Sequence, residues 1–333
     1  MRDGHIRLAH GNGGRFMREL IEELFARHLA DLAPDVTLDA SPFVLPAGVP
    51  HVTVDGFTVK PLEFPGGDIG SLAVNGTVND LAVSGALPLY LTLSAIIEEG
   101  LEVALLERVV SSLASAAAKA GVRVLAGDTK VVPRGHGGGI YFTTTGIGIR
   151  PDGVDLGLGL VRRGDAVLAS GPIGDHGIAV MLAREEFDMR GNIKSDCAAV
   201  TALAQTAIAH GARFMRDPTR GGLAGVANEI CRATGLGLRL SEDQVPVRDE
   251  VRGVCEMLGY DPYYLACEGR GVAIAPEEAA PALLAAWRTV EGGEEAAIVG
   301  AVTAPPARVV LSTSAGGERI VDELEDDPLP RIC

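Results

Sequence analysis

The groups best suited to chemistry in this chain are four aspartates, a lysine beside one of them, a glutamate ahead of an apolar strand and a cysteine on the last residue. Asp55 stands in Val-Asp-Gly-Phe, Asp80 in Val-Asn-Asp-Leu, Asp128 in Ala-Gly-Asp-Thr-Lys and Asp217 in Arg-Asp-Pro-Thr-Arg-Gly-Gly. A carboxylate within an apolar segment such as residues 75–87 is costly unless it is paired or bound to a metal. Converging carboxylates are what Mg²⁺ bridging a triphosphate requires. Taken singly, each Asp reads first as a helix cap or an Asx-turn; it is the four together that point to a site.

Glycine loops supply the other half of a phosphate site. His10-Gly-Asn-Gly-Gly14, with Gly13 and Gly14, precedes a helical pattern, and so does Pro65-Gly-Gly-Asp-Ile-Gly70, with Gly67. Both can aim backbone N–H groups at an anion, yet neither fits a P-loop or a Rossmann fingerprint. Lys130 is the cation placed beside the acidic set and can stabilise transferred phosphate charge; its plain alternative is an exposed strand residue. Glu268, in Tyr264-Leu-Ala-Cys-Glu-Gly-Arg270, is a candidate general base or else a turn carboxylate. His176, in Gly-Asp-His-Gly, reads as a residue of a helix start. Cys333 ends the run Asp-Asp-Pro-Leu-Pro-Arg-Ile-Cys, where Pro328 and Pro330 favour an extended arm. A thiol so carried can be a nucleophile or group carrier, or it can be a frayed end without meaning.

Elements must position these groups. Phe16, Leu20, Ile21, Leu24 and Phe25 recur at helical spacing, and a Pro-rich connection follows over 34–50. Strands are expected at 51–59, 87–97, 122–132 and 140–149, with a small-residue helix over 70–84 and an amphipathic one through Val103 to Leu113. No helix separates 122–132 from 140–149, so part of this sheet must be antiparallel. After a linker near 151–159, helices are expected near 176–187, 196–210, 221–234 and 277–288. Strands are expected near 166–170, 213–216, 236–240, 271–275, 296–303 and 308–312. Strict βαβ repetition is absent, so the fold class is α+β. The organisation predicted is a Gly-loop and helix over 1–40, a first domain over 41–150, a second over 151–312 and a mobile tail over 313–333.

Composition narrows the functions. With 333 residues, two domains are the natural expectation. The net charge of −15 argues against a nucleic-acid partner, since no basic patch is there to displace phosphate counterions. No apolar run reaches membrane-spanning length, and the polar opening MRDGHIRLAH reads as a cytoplasmic protein's. The five Cys show no CxxC spacing, which speaks for neither a zinc site nor a disulfide framework. Cys231 and Cys255 fall in helical patterns and read as small buried hydrophobes.

Several stretches together resemble one family. LAHGNGG, FPGGDIG, NDLAVSGALP, GDTKVV, GDHG, RDPTRGGL, RGVCEMLG, EGR and the terminal PRIC, spread over nearly the whole chain, are similar to the HypE hydrogenase maturation factors. These are carbamoyl dehydratases in the superfamily of aminoimidazole ribonucleotide synthetase and selenophosphate synthetase. The glycine loop lacks the Cys that selenophosphate synthetases carry there. The resemblance implies a homodimer whose first domains join their sheets and bind ATP with Mg²⁺. It places Asp55, Asp80, Asp128 and Asp217 among the metal and nucleotide acids, with Asn79, Thr129, Gly13, Gly14 and Gly67 at the nucleotide. Gly56 follows Asp55 where many relatives have Ser. Cys333 matches the thiol that receives a carbamoyl group from HypF, Lys130 and Glu268 match the pair that dehydrates it, and the HypC–HypD complex is the implied cyanide acceptor. Two other readings are compatible with the residues: a sibling kinase or ligase without a terminal thiol, and a non-enzymatic thiol carrier.

Overall fold

The structure is a computed structural model that describes residues 4–35, 37–184 and 191–324. Cys333 lies outside the described residues. The chain divides into two compact units, one over residues up to 81 and 86–152, the other over 82–85 and from 153 onward.

In the first unit, α1 (Arg15–Leu20) runs through a π-helical segment, Ile21–Ala26, into the short α2 (Arg27–Leu29). Strand β1 (Val49–Phe57) is followed by a small hairpin of β2 (Glu63–Phe64) and β3 (Gly67–Asp68). Helix α3 (Ile69–Val83), β4 (Leu87–Glu98), α4 (Val103–Ala120), β5 (Arg123–Val132) and β6 (Ile140–Arg150) complete the unit. Buried Val103, Leu106, Val110, Leu113 and Ala117 give α4 one apolar stripe, and it stops at Gly121 with φ 70°. By contrast α3 is buried nearly all round, with Asn75, Thr77 and Asn79 as well as its aliphatics in the interior. Its contact with the sheet is close because β6 offers Gly146, where a Cβ would lie 2.7 Å from Thr77 Cγ2.

The four-stranded sheet has the order β1-β6-β4-β5. Strand β4 is parallel to β5 and antiparallel to β6, and β1 is antiparallel to β6. The sheet is therefore mixed as expected, but β6 inserts between β1 and β4 rather than beside β5, its neighbour in sequence.

The second unit holds β7 (Ala166–Ala169), α5 (Asp175–Ala183), α6 (Thr201–Ala209), β8 (Phe214–Arg216), α7 (Gly222–Thr234) and β9 (Gly237–Ser241). It continues with α8 (Asp249–Leu258), β10 (Val272–Ala275), α9 (Ala280–Trp287), β11 (Ala297–Thr303), β12 (Val309–Ser312) and β13 (Glu318–Ile320). Its seven strands run β13-β12-β9-β11-β7-β10-β8, mostly antiparallel. One face packs Val167, Val272, Leu238 and Val309 against Leu223, Ala227 and Ile230 of α7. The other packs Leu168 and Ala273 against Leu203 of α6 and Leu283 and Trp287 of α9.

Two expectations are corrected here. Residues 313–324 do not belong to a free arm: β13 pairs with β12, Val321 is fully buried, its N–H donates to Val309 O, and Tyr264 Oη donates to Asp322 O. The helix expected over 196–210 begins only at Thr201, because N–H groups of the preceding strap are bonded outside a helical pattern, Ala198 N–H donating to Glu268 O at 3.4 Å. Ser195 Oγ accepts the Cys197 N–H at 3.0 Å, and Asp196 is committed elsewhere.

Candidate active site

In the first unit the sheet register sorts the candidate residues onto two faces. Asp55, Thr144, Leu93 and Gly127 form one cross-strand row. Thr144 Oγ1 bonds to Thr77 and donates to Ala73 O, so this row faces α3. Asp80 approaches from α3 itself, its Oδ2 accepting from Thr53 Oγ1 at 2.6 Å, two residues along β1 from Asp55. Gly56, Thr143, Ser94 and Asp128 form the next row, so the Asp128 side chain leaves on the opposite face. Lys130 follows two residues on, and its Nζ grips both carboxylate oxygens of Asp128 at 2.9 and 2.7 Å. Both members of that pair are more than half exposed. Asp55 with Asp80, and Asp128 with Lys130, are thus two separate sets within one chain. Among the described residues no three His, Cys, Asp or Glu side chains gather into a metal-binding group.

Beside β5, a cavity of about 190 Å³ is walled by Met17, Ile21, Phe25 and Leu29 on one side and Leu93, Val124, Gly127 and Thr129 on the other. The Thr129 hydroxyl is buried and makes no hydrogen bond, an unfilled polar handle in a recess that Asp35, Asp39, Ser41 and Asp128 also line. Asn79, on α3 beside Asp80, is buried.

The glycine loops differ. Gly13 and Gly14 both have φ 79°, open space lies where a Cβ would stand, and no side chain caps the start of α1. The second loop is corrected from an anion cradle to a self-capped hairpin. Gly67 packs against the Phe64 ring, and Asp68 Oδ1 accepts the N–H groups of Gly70 and Ser71 at 2.7 and 2.9 Å, while the Asp68 N–H donates to Ser71 Oγ. Those helix N–H groups are therefore occupied by a carboxylate of the chain's own. Burial pushes the Asp68 carboxyl up, against the hydrogen bonds from Ser112, Ser71 and Gly70.

In the second unit Glu268 is 3% exposed and Asp217 8% exposed. Glu268 sits in an irregular loop before β10, and Asp217 follows β8 directly. Sequence reasoning missed Asp196, which accepts the Glu268 and Gly269 N–H groups, and the ion cluster that joins Arg270 to Asp196, Asp175 and Arg248. Arg270 Nε lies 3.3 Å from Asp196 Oδ2 and its guanidinium 3.6 Å from Asp175, which also accepts from Arg248 Nε at 3.0 Å. Burial raises the carboxyls of both Asp196 and Asp175, with the arginines pulling the other way. The signal available was Asp196 ahead of a helical run, which reads as a cap. His176 is buried at the start of α5, where desolvation lowers it to about 3, and its Nδ1 is 2.8 Å from Ser195 Oγ. Burial also pushes the Cys231 and Cys255 thiols up to about 11, as unreactive core residues.

Comparison with known proteins places this arrangement. Residues 45–150 match the N-terminal domain, and residues 162–311 the C-terminal domain, of AIR synthase related proteins. The chain is thus a two-domain protein of that class. Carbamoyl dehydratase HypE of Azotobacter vinelandii is 48% identical over 336 aligned positions, spanning 100% of this chain and 98% of the relative. A crystal structure of hydrogenase maturation protein HypE in complex with ATP superposes with a TM-score of 0.93 at 42% identity, over 98% of this chain and 99% of that one. A HypE chain from a HypE–HypF complex superposes with a TM-score of 0.80 at 43% identity, over 92% and 99%. Within the AIR synthase related class, the chain belongs to the HypE carbamoyl dehydratase family.

Proposed function

We infer that this chain is an ATP-dependent carbamoyl dehydratase of hydrogenase maturation, converting an S-carbamoylated Cys333 into a thiocyanate. The observation that carries the reading is the full-length correspondence with HypE carbamoyl dehydratases, including one crystallised with ATP. Two features of the first unit support nucleotide binding. The recess with the unsatisfied Thr129 hydroxyl suits a base or ribose. The two Gly residues before α1 suit phosphate groups, and Asn79 is kept as a nucleotide residue from the family resemblance.

Mg²⁺ fits only in part. It is ordinarily held by one or two carboxylates together with phosphate oxygens and water. Asp55 and Asp80, or Asp128, meet that requirement without a side-chain cage; Asp217 belongs to the other unit and is kept as a candidate ligand from the family resemblance. The ion would offset charge on the transferred phosphoryl group.

The chemistry assigns each residue one task. The carboxamide oxygen on Cys333 attacks the γ-phosphate; the P–O bond to ADP breaks, and one N–H proton passes to solvent as the oxygen is phosphorylated. Glu268 takes the remaining N–H proton while the C–O bond breaks and phosphate departs, leaving S–C≡N. Lys130, released from Asp128, neutralises charge on the phosphoryl oxygens. HypF is the carbamoyl donor in this scheme, and the iron of a HypC–HypD complex the cyanide acceptor. A homodimer is proposed through the first-unit sheet, whose edge strand β1 leaves Val52 69% and Val54 61% exposed. No helix among the described residues is long and apolar enough to cross a membrane.

Mass spectrometry of the C-terminal peptide after incubation with HypF, carbamoyl phosphate and ATP tests the reading. The expected product is the carboxamide less one water, absent in Cys333→Ala. A carboxamide that persists despite ATP turnover defeats the dehydratase reading and leaves a carrier. ATP turnover with an unmodified peptide points to a sibling kinase.

A further inference from the structure

Glu268 is held by a segment outside its own loop. The N–H groups of Glu268 and Gly269 donate to the two carboxylate oxygens of Asp196, at 3.1 and 3.3 Å. Ala198 N–H returns a bond to Glu268 O at 3.4 Å. The strap and the loop touch through backbone: a Cβ on Gly269 would fall 1.8 Å from Asp196 O, so only glycine fits. The Asp196 side chain is fully buried, and the guanidinium that balances it is itself fixed, Arg270 donating to Pro172 O at 3.1 Å and to Gly292 O at 2.9 Å. The residue before Asp196 is tied too, Ser195 Oγ lying against His176.

A buried carboxylate carries a desolvation penalty that an apolar residue of similar size avoids. Asp196 spends its lone pairs on the backbone of residues 268 and 269 and on the guanidinium of residue 270. Three consecutive residues are thereby locked around the Glu268 side chain. We propose that Asp196 is a positioning residue for dehydration, clamping the 268–270 backbone so that the Glu268 carboxylate is presented in one orientation. The inference rests on the reading of Glu268 as the base.

The test uses the full-length protein with HypF, carbamoyl phosphate and ATP, following thiocyanate on the C-terminal peptide. Asp196→Asn keeps the shape and one acceptor but loses the second acceptor and the charge facing Arg270. The expected result is a fall in thiocyanate formation at saturating ATP of about 10- to 100-fold, the scale of a small misplacement of a reacting group, with the KM for ATP unchanged. Asp175→Asn is the comparison. It removes a carboxylate almost as buried from the same guanidinium without touching the 268–269 backbone, so it should lower Tm to a similar degree and the rate by less than about threefold. Gly269→Ala leaves every charge in place while pushing strap and loop apart, and should behave like Asp196→Asn; it decides the matter if the Asn variant does not fold. A parental rate in Asp196→Asn, or equal falls in Asp196→Asn and Asp175→Asn, overturns the positioning role. If Glu268→Gln itself forms thiocyanate at the parental rate, the base assignment fails instead, and the two failures are told apart.

Discussion

Lys130 and Asp80 illustrate how one residue's present partner decides what its removal does. Lys130 is engaged with Asp128 in an exposed ion pair, which contributes at most about 1 kcal/mol to stability. Lys130→Ala is therefore expected to leave Tm nearly unchanged while slowing ADP formation by about 10²-fold, the usual loss on removing one charge-stabilising donor. Parental ADP formation in a coupled assay would strike Lys130 from the mechanism. Asp80→Asn preserves an acceptor for the Thr53 hydroxyl, so the α3–β1 contact survives. Weaker ATP binding by calorimetry, with an unchanged melting curve, is the expected outcome; undiminished affinity would rule out a nucleotide or metal role. Both residues stand out in the sequence as candidates because charged side chains in small-residue contexts demand a reason. Asp68 and Asp196 do not, since an Asp at or just ahead of an expected helix start looks like any cap. Only the coordinates distinguish Asp68, which caps its own helix, from Asp196, which bonds to a loop 72 and 73 residues away.

Helices and strands were read well where periodicity was strong. The stripe of α4 and the apolar runs of β4, β7 and β10 announce themselves, whereas the short hairpin β2–β3 and the edge strand β13 have too few residues to show a period. Residues 196–200 were misread as the start of α6 because helical propensity there yields to bonds with the distant 268–269 backbone. The start of α5 meets the strap ahead of α6 through His176, and that contact carries a pH dependence. Its imidazole is held neutral in the folded protein, lowered to about 3, whereas in the unfolded chain it titrates near 6.5. The unfolded state thus binds the extra proton first, and stability present above 6.5 is lost as pH falls toward 3, by up to about 1.4 kcal/mol per pH unit. Urea unfolding at a series of pH values is expected to show this acid slope in the parent and a slope shallower by up to about one proton in His176→Gln. Identical slopes would mean that the unfolded chain gains no proton at this position.

At the scale of the molecule, β1 poses the remaining problem. It is nine residues long, it lies at the edge of its sheet, and it shows Val52 and Val54 to solvent on the face away from α3. Edge strands of that length and polarity are normally blunted by charge, by proline or by a covering partner. Pro50 stands near its start, but the stretch from Val52 to Phe57 carries only Asp55, whose side chain turns toward α3. A second copy of the chain covering this strand satisfies both the unpaired backbone and the apolar face. Because both valines are already largely exposed in the single chain, replacing them perturbs its folding little, and their effect on assembly can be read cleanly. The double variant Val52→Lys, Val54→Glu is expected to run at half the parental mass by light scattering, with Tm lowered only by the loss of linkage to the dimer. Thiocyanate formation per chain should fall with it if the assembled sheets complete the nucleotide site, and stay constant if each chain works alone. A double variant that keeps the parental mass would move the interface away from β1, and the exposed valines would then need another partner.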